Sequence, residues 1–162
     1  MATTRPTVML QPMTADEWEV WGVGSIAAFA ADMVRLRRWP AAEAEARATA
    51  QFKQILPAGR ETPGHEFRSI VAEAGETVGY LWFGPHDGGG PSAAFIWDLV
   101  IDAAFRGRGY GRAALLALEP VARELGYDAI RLHVFGDNEV ARLLYRSSGY
   151  LETDVSMLKR LG

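Results

Sequence analysis

The sequence predicts one α/β domain in which a mixed β-sheet carries helices on its faces. Short apolar segments alternate with longer segments of helical period, in the order βααββ followed by βαβαβ. One apolar strand runs without a gap into a glycine-rich turn at residues 106–112, and a helix-forming segment follows. The 162 residues, 49% of them hydrophobic, suit a single domain (1–162) with one core.

The first elements are a strand and a helix. Residues 7–12 form a short apolar segment that ends in proline, and a capping-box pattern runs from Thr14 to Glu17. We therefore expect a helix to begin here. Gly22 and Gly24 weaken its first turns and predict a bend or a loop.

A second helix and a β-hairpin follow. Pro40 interrupts the helical pattern, which resumes over residues 41–56. Residues 66–73 and 77–83 are strand-like and close together, which predicts a hairpin. The glycine- and proline-rich segment 84–91 predicts a loop.

The next strand, residues 94–102, leads into the glycine turn and then a helix over residues 109–125. Pro120 lies inside this helix, so we expect a kink or an early end there, because proline removes a backbone hydrogen bond. The spacing predicts a buried stripe formed by Leu115, Leu118, Ala122 and Leu125.

The last part of the chain predicts a strand, a helix and one or two final strands. The strand covers residues 129–135, the helix residues 138–147, and the final strands residues 149–160. An exposed last strand would be able to pair with a second copy in a homodimer.

Composition excludes several classes of function. The net charge of -3 and the pI of about 5.6 argue against a general nucleic-acid binder. With no cysteine and only three histidines, we expect neither a thiol nucleophile nor a metal centre. No signal-like or membrane-length apolar segment is present in the sequence, and we expect a cytoplasmic protein without membrane contact.

The glycine turn has the chemistry of an anion site. Gly107, Gly109 and Gly111 free the backbone to present N–H groups at a helix N-terminus, where the helix dipole also favours an anion. Glycines alone also fit a tight turn or a dinucleotide-binding fold, although no convincing ribose-binding acid follows. The arginines that surround the turn favour a pyrophosphate ligand: Arg106, Arg108 and Arg112.

Two signatures resemble the GNAT superfamily of N-acetyltransferases. The sequence RGRGYG at residues 106–111 matches its Q/R-x-x-G-x-G/A pattern, which binds the pyrophosphate of acetyl-CoA. The sequence NEVARLLYRSSGY at residues 138–150 resembles its second signature, N-x-x-A-x-x-L-Y-x-x-x-G-F/Y. The resemblance implies a mostly antiparallel central sheet with helices on both faces.

The resemblance also implies where the substrates bind. Residues 1–60 would form the acceptor side and residues 65–162 the acetyl-CoA half, with the fourth and fifth strands separating beyond Val100. No metal is implied. The residues expected to contact acetyl-CoA are Leu99, Val100, Ile101, Arg106, Gly107, Arg108, Gly109, Tyr110, Gly111, Arg112, Asn138, Ala141 and Tyr145.

Two side chains are candidates for proton transfer. Asp98 is the one carboxylate inside the strand before the turn, and burial without a partner is costly, so we predict that it is the general base. A structural aspartate is the alternative, and alternation leaves open whether Asp98 or Trp97 faces the acceptor. Glu73 and Asp102 are weaker candidates.

The second candidate is Tyr145, which the resemblance places near the coenzyme sulfur as general acid. Its alternative role is an aromatic anchor of an amphipathic helix. Among the other aromatic residues, Trp82 and Trp97 are candidates for a pocket wall, whereas His133 is expected to be packed or solvent-facing.

The sequence therefore predicts an N-acetyltransferase that moves acetyl directly from acetyl-CoA to a primary amine. The acceptor would be a small-molecule amine, a protein N-terminus or a lysine. One alternative is an acyl-CoA-binding sensor or regulatory module without turnover. Another is a dinucleotide-binding oxidoreductase, which the single short glycine turn disfavours.

Overall fold

A computed structural model describes residues 5–88, 90 and 92–162. The chain forms two compact units, Met1–Leu132 and His133–Gly162. The predicted loop at residues 84–91 includes Gly89 and Pro91, which lie outside the described residues. Within the described part, no helix is long and apolar enough to cross a membrane.

The first unit contains a five-stranded sheet in the order β1-β2-β3-β4-β5. Neighbouring strands are antiparallel except β4 and β5, which are parallel, so the predicted mixed and mostly antiparallel sheet is confirmed. Its elements are β1 (Val8–Pro12), α1 (Ala15–Arg35), α2 (Ala41–Ile55), β2 (Glu66–Ala72), β3 (Thr77–Gly84), β4 (Ala93–Ile101), α3 (Tyr110–Glu124) and β5 (Ala129–Leu132).

Helix α1 begins with the predicted capping box. The Thr14 hydroxyl accepts from the Glu17 amide at 3.2 Å, and the Glu17 carboxylate accepts from the Thr14 amide at 2.9 Å. The helix then continues through Gly22 and Gly24, so the predicted interruption there is wrong. Gly22 is buried and adjoins the Phe52 ring of α2, and a Cβ there would make an ordinary contact at 3.8 Å.

Helices cover both faces of the sheet. On one face Phe67 pairs across the strands with Trp82, and the rings of Trp21 and Phe52 pack on this pair. Because side chains alternate along a strand, the fully buried Leu81 lies on the opposite face. Helix α3, whose apolar stripe is buried, packs against β1, β4 and β5.

Helix α3 extends past Pro120 to Glu124, so it does not end early. Pro120 is exposed, and so is Leu116, whose carbonyl loses its helical donor; water can therefore solvate that carbonyl. The predicted stripe is wrong at one position, because Leu125 is 48% exposed. Leu125 is the C-cap residue, where the helical period no longer directs the side chain.

The second unit contains one helix, α4 (Glu139–Ser147). The predicted final strands at residues 149–160 are wrong, since residues 151–162 are exposed and form neither helix nor strand. A strand requires a hydrogen-bonded neighbour, and an alternating pattern cannot provide one. The structure therefore lacks, in its described part, the edge strand on which the predicted homodimer depended.

Candidate active site

Strand β4 contains a β-bulge at Trp97. The register with β3 shifts between Trp82 and Phe83, which gives β4 one extra residue. As a result, two consecutive side chains lie on the α1 side of the sheet. The Trp97 ring stacks on Trp82 at 5.2 Å, and Asp98 accepts a hydrogen bond from Trp21 of α1. Trp97 and Asp98 therefore both lie on the α1 side of the sheet, and the role of either one toward an acceptor stays a prediction.

The Asp98 carboxylate is enclosed by protein although the residue as a whole is partly exposed. Its Oδ2 accepts from Trp21 Nε1 at 2.9 Å, and the Ser25 hydroxyl and the Leu99 amide also hydrogen-bond to the carboxylate. Burial raises the pKa of Asp98, whereas the three hydrogen bonds act in the opposite direction. The result is a carboxylate that takes up a proton more readily than an exposed one.

Strands β4 and β5 separate at the bulge. Their parallel register ends at Ile96 and Leu132, while β4 continues to Ile101 alongside β3 alone. The separation begins four residues earlier than the expected point beyond Val100, because the bulge at Trp97 breaks the ladder. The predicted strand at residues 129–135 is shortened for the same reason and ends at Leu132.

The glycine turn after β4 presents consecutive unpaired amides. Gly107 and Gly109 have φ of 73° and 87°, in the region that favours glycine. In the described part of the chain, the backbone N–H groups of residues 107–111 donate to no backbone carbonyl, and helix α3 begins at Tyr110. Five adjacent donors at a helix N-terminus suit the oxygens of a pyrophosphate.

Two arginines of the turn contact neighbouring groups of the protein. Arg106 Nε donates to the Ile101 carbonyl at 2.8 Å, and the Arg108 guanidinium lies 5.8 Å from the centroid of the Phe105 ring. Both residues are exposed, and Arg112 lies partly exposed in the first turn of α3. The turn therefore combines open amides with positive charge.

The second signature has a structural explanation within its own unit. Asn138 caps α4, and its Oδ1 accepts from the Ala141 amide at 3.1 Å. Gly149 has φ of 91°, and the Tyr150 amide donates back to the Tyr145 carbonyl, as in a Schellman C-cap. The Tyr145 and Tyr150 rings are in contact at 5.7 Å. The asparagine, the glycine and the last tyrosine of this signature are therefore explained by the N-cap and the C-cap of α4.

The remaining candidates are distributed around the first unit. Glu73 is exposed and hydrogen-bonds with Thr7, and Asp102 lies partly exposed directly after β4. His65 Nδ1 accepts from Trp82 Nε1 at 3.0 Å, and burial lowers the pKa of His65. Among the described residues, no three side chains of the types that bind metals form a metal site.

Sequence reasoning missed the partners of Asp98. Trp21 and Ser25 lie four residues apart on α1, so they project from the same side of the helix. Their spacing carried no signal, because tryptophan and serine on a helix usually pack or face water. A pairing across 77 residues follows from tertiary packing alone.

The sequence model of the acetyltransferase (GNAT) family matches residues 30–150. The uncharacterized N-acetyltransferase YycN of Bacillus subtilis is 36% identical over 155 residues, covering 96% of this chain and 99% of that protein. The crystal structure of YycN superposes on this chain with a TM-score of 0.89, covering 96% of this chain and 99% of that one.

Two further relatives carry related names. The uncharacterized N-acetyltransferase YdgE of Bacillus subtilis is 35% identical and covers 94% of this chain and 97% of that protein. A mycothiol acetyltransferase of Beutenbergia cavernae is 33% identical over 132 residues, covering 72% of this chain and 44% of that protein.

Proposed function

The chain belongs to the acetyltransferase (GNAT) family, and from this premise we propose that it transfers an acetyl group from acetyl-CoA directly to an amine. Both substrates would be bound together, without a covalent enzyme intermediate. The family match spans residues 30–150, and we propose a single acetyltransferase domain.

The observation that carries the proposal is the row of open amides at residues 107–111. A pyrophosphate needs several donors and a positive local field, and the turn supplies five adjacent N–H groups, three arginines and a helix N-terminus. At Gly107 a Cβ would meet no atom within 4 Å, whereas at Gly109 a Cβ would come within 3.2 Å of the Pro6 ring; the positive φ at both positions favours glycine. Acetyl-CoA supplies the thioester, and this chain's residues would hold its pyrophosphate in a fixed place.

The backbone of β4 beyond the bulge is proposed to bind the pantetheine arm. From Trp97 onward, the edge of β4 that faced β5 has no ladder partner in β5. Val100 and Ile101 lie in this segment and are partly exposed. A fixed backbone N–H here would stabilise the negative charge that develops on the thioester oxygen.

Asp98 is proposed to accept the proton of the attacking amine. A base works best when its pKa approaches the working pH, and burial moves the pKa of Asp98 in that direction. A carboxylate has about four acceptor positions, of which three are used, which leaves capacity for a proton or a bridging water. Tyr145 is proposed to protonate the leaving thiolate.

The acceptor is proposed to be a small-molecule amine, a protein N-terminus or a lysine. The small-molecule alternative is supported by one relative whose name is mycothiol acetyltransferase. Helices α1 and α2 would form the acceptor side, and the aromatic side chains of Trp82 and Trp97 would contribute to its wall.

An amine panel tests these roles. The panel contains tryptamine, spermidine, kanamycin, free amino acids and a peptide with a free N-terminus, each assayed with saturating acetyl-CoA. We expect Asp98→Asn to lower kcat by about 100-fold or more and Tyr145→Phe by about tenfold. Wild-type turnover by both variants would contradict the assignment.

A second function is an acyl-CoA-binding module without turnover. It is favoured by the three donors that already hold Asp98, since a structural carboxylate would be bound in the same way. Calorimetry with coenzyme A separates the two functions. The binding module would be supported if coenzyme A binds tightly and no amine of the panel reacts with acetyl-CoA to release coenzyme A.

A further inference from the structure

Trp21 connects the Asp98 carboxylate to helix α1. The indole Nε1 donates to Asp98 Oδ2 at 2.9 Å, and Ser25, one turn further along the same helix, hydrogen-bonds to the same carboxylate. Among the described residues, the backbone donor to this carboxylate is the Leu99 amide on its own strand. Two of its three donors therefore come from a helix on the proposed acceptor side.

Packing fixes the direction of the Trp21 indole. The side chain is 4% exposed, and its ring lies 5.8 Å from Phe52, 5.5 Å from Phe67 and 5.6 Å from Trp82. The ring cannot turn without losing these contacts, since a packed interior has little free volume. The N–H group is thus preorganised toward Asp98.

We propose that Trp21 is a positioning residue for acetyl transfer: its indole N–H holds the Asp98 carboxylate in the orientation that meets the acceptor amine. Ser25 is the second donor in this arrangement. The inference rests on the proposed function, because it assumes that Asp98 is the base. It adds that α1, at the acceptor side, controls both the direction and the basicity of that base.

Trp18 provides a matched comparison on the same helix. Its ring also contacts Phe52 and Phe67, at 6.4 Å and 6.0 Å. Its Nε1 is buried but has no hydrogen-bond partner among the described residues. Replacing either tryptophan by phenylalanine removes similar apolar volume, but only Trp21→Phe removes a hydrogen bond.

Several titratable or charged side chains lie on the elements next to Asp98. They include Asp16, Glu17, Glu19, Asp32 and Arg35 on α1, Glu66 and Arg68 on β2, Tyr80 on β3, Asp102 after β4 and His65 before β2. None of them contributes a charge interaction to the pKa of Asp98, which depends on burial and on the three hydrogen bonds. His65 alone has an ordinary pKa near neutrality, and burial lowers it.

Carboxyl-carbon NMR measures the proposed effect without an acceptor. The Asp98 signal is assigned by its loss in Asp98→Asn and titrated in the full-length wild type, Trp21→Phe and Trp18→Phe. A hydrogen bond to the charged form lowers a pKa, so Trp21→Phe should raise that of Asp98 by about one unit, a tenfold change in the protonation equilibrium. Trp18→Phe should leave it unchanged.

The kinetic readout uses the panel amine with the highest turnover. In Trp21→Phe the acid limb of the kcat/KM profile should move to higher pH by the same amount, a shift that loss of stability would not produce. Ser25→Ala repeats the test with a smaller change if Trp21→Phe unfolds. An unmoved limb, or an equal shift in Trp18→Phe, overturns the inference. Wild-type turnover by Asp98→Asn would instead overturn the proposed base.

Discussion

Replacing Gly107 by alanine should weaken the binding of coenzyme A far more than it weakens the fold. Gly107 has φ of 73° and lies among the open amides of the turn. A Cβ built there would meet no atom within 4 Å, so the substitution introduces backbone strain without a clash. Relief of that strain would rotate the neighbouring N–H groups away from a shared anion.

The structure offers a control with the same strain. Gly126 has φ of 88°, and a Cβ there also meets nothing within 4 Å, but it lies beyond the C-terminal end of α3. Alanine in this conformation costs about 1–2 kcal/mol, so both variants should lower Tm by roughly 2–8 °C. Losing one charge-assisted hydrogen bond of about 1.5–3 kcal/mol should weaken coenzyme A binding roughly 10–100-fold in Gly107→Ala alone.

Calorimetry with coenzyme A and with pantetheine, which lacks the pyrophosphate, provides the assay. Gly107→Ala should lose affinity for coenzyme A and retain its affinity for pantetheine, while Gly126→Ala should bind both ligands like the wild type. Equal losses for the two ligands, or unchanged coenzyme A binding in Gly107→Ala, would refute the pyrophosphate assignment.

Three further predictions concern stability, each measured by thermal unfolding. Burial raises the pKa of Asp98, so its stabilising contribution is complete below the unfolded pKa and is lost as pH rises through the folded pKa. The Tm of Asp98→Asn should therefore fall less than the Tm of the wild type as pH rises above about 4. Pro120→Ala restores the donor to the Leu116 carbonyl and should add about 2 kcal/mol, or about 4–8 °C. Thr14→Ala removes the cap of the Glu17 amide and should cost about 1 kcal/mol. The opposite sign in any of the three would contradict the corresponding argument.

Local chemistry explains why much of the fold could be predicted from the sequence. The capping box at Thr14 and the hairpin around Gly75 depend on residues close together in the chain, and both formed as expected. Helix α4 begins after the Asn138 cap for the same reason. Such signals act over three or four residues, so tertiary packing has little opportunity to override them.

The features that were mispredicted depend on distant partners. Pro120 predicted a kink or an early end in α3, and the early end is wrong because the buried stripe on the other side of the helix keeps it continuous. Residues 149–160 were predicted to form strands, yet a strand exists only where another strand pairs with it.

The candidate site divides in the same way. The glycine turn at residues 107–111 could be predicted from the sequence, because a positive φ favours glycine and so determines the residue type. The bulge at Trp97 could not be predicted in this way, because it depends on the register between two strands and not on a particular residue type. The hydrogen bond from Trp21 to Asp98 could not be predicted either, because it requires α1 to lie across β4.

The most direct test of the proposed function is the dependence of coenzyme A release on an added amine. Purified protein with acetyl-CoA is followed by free-thiol detection, and the products are weighed by mass spectrometry. Direct transfer predicts that thiol release requires the amine, that acetylated amine forms in a one-to-one ratio with coenzyme A, and that the protein gains no acetyl group. Thiol release without amine, or an acetylated protein that later passes its group to the amine, would contradict it.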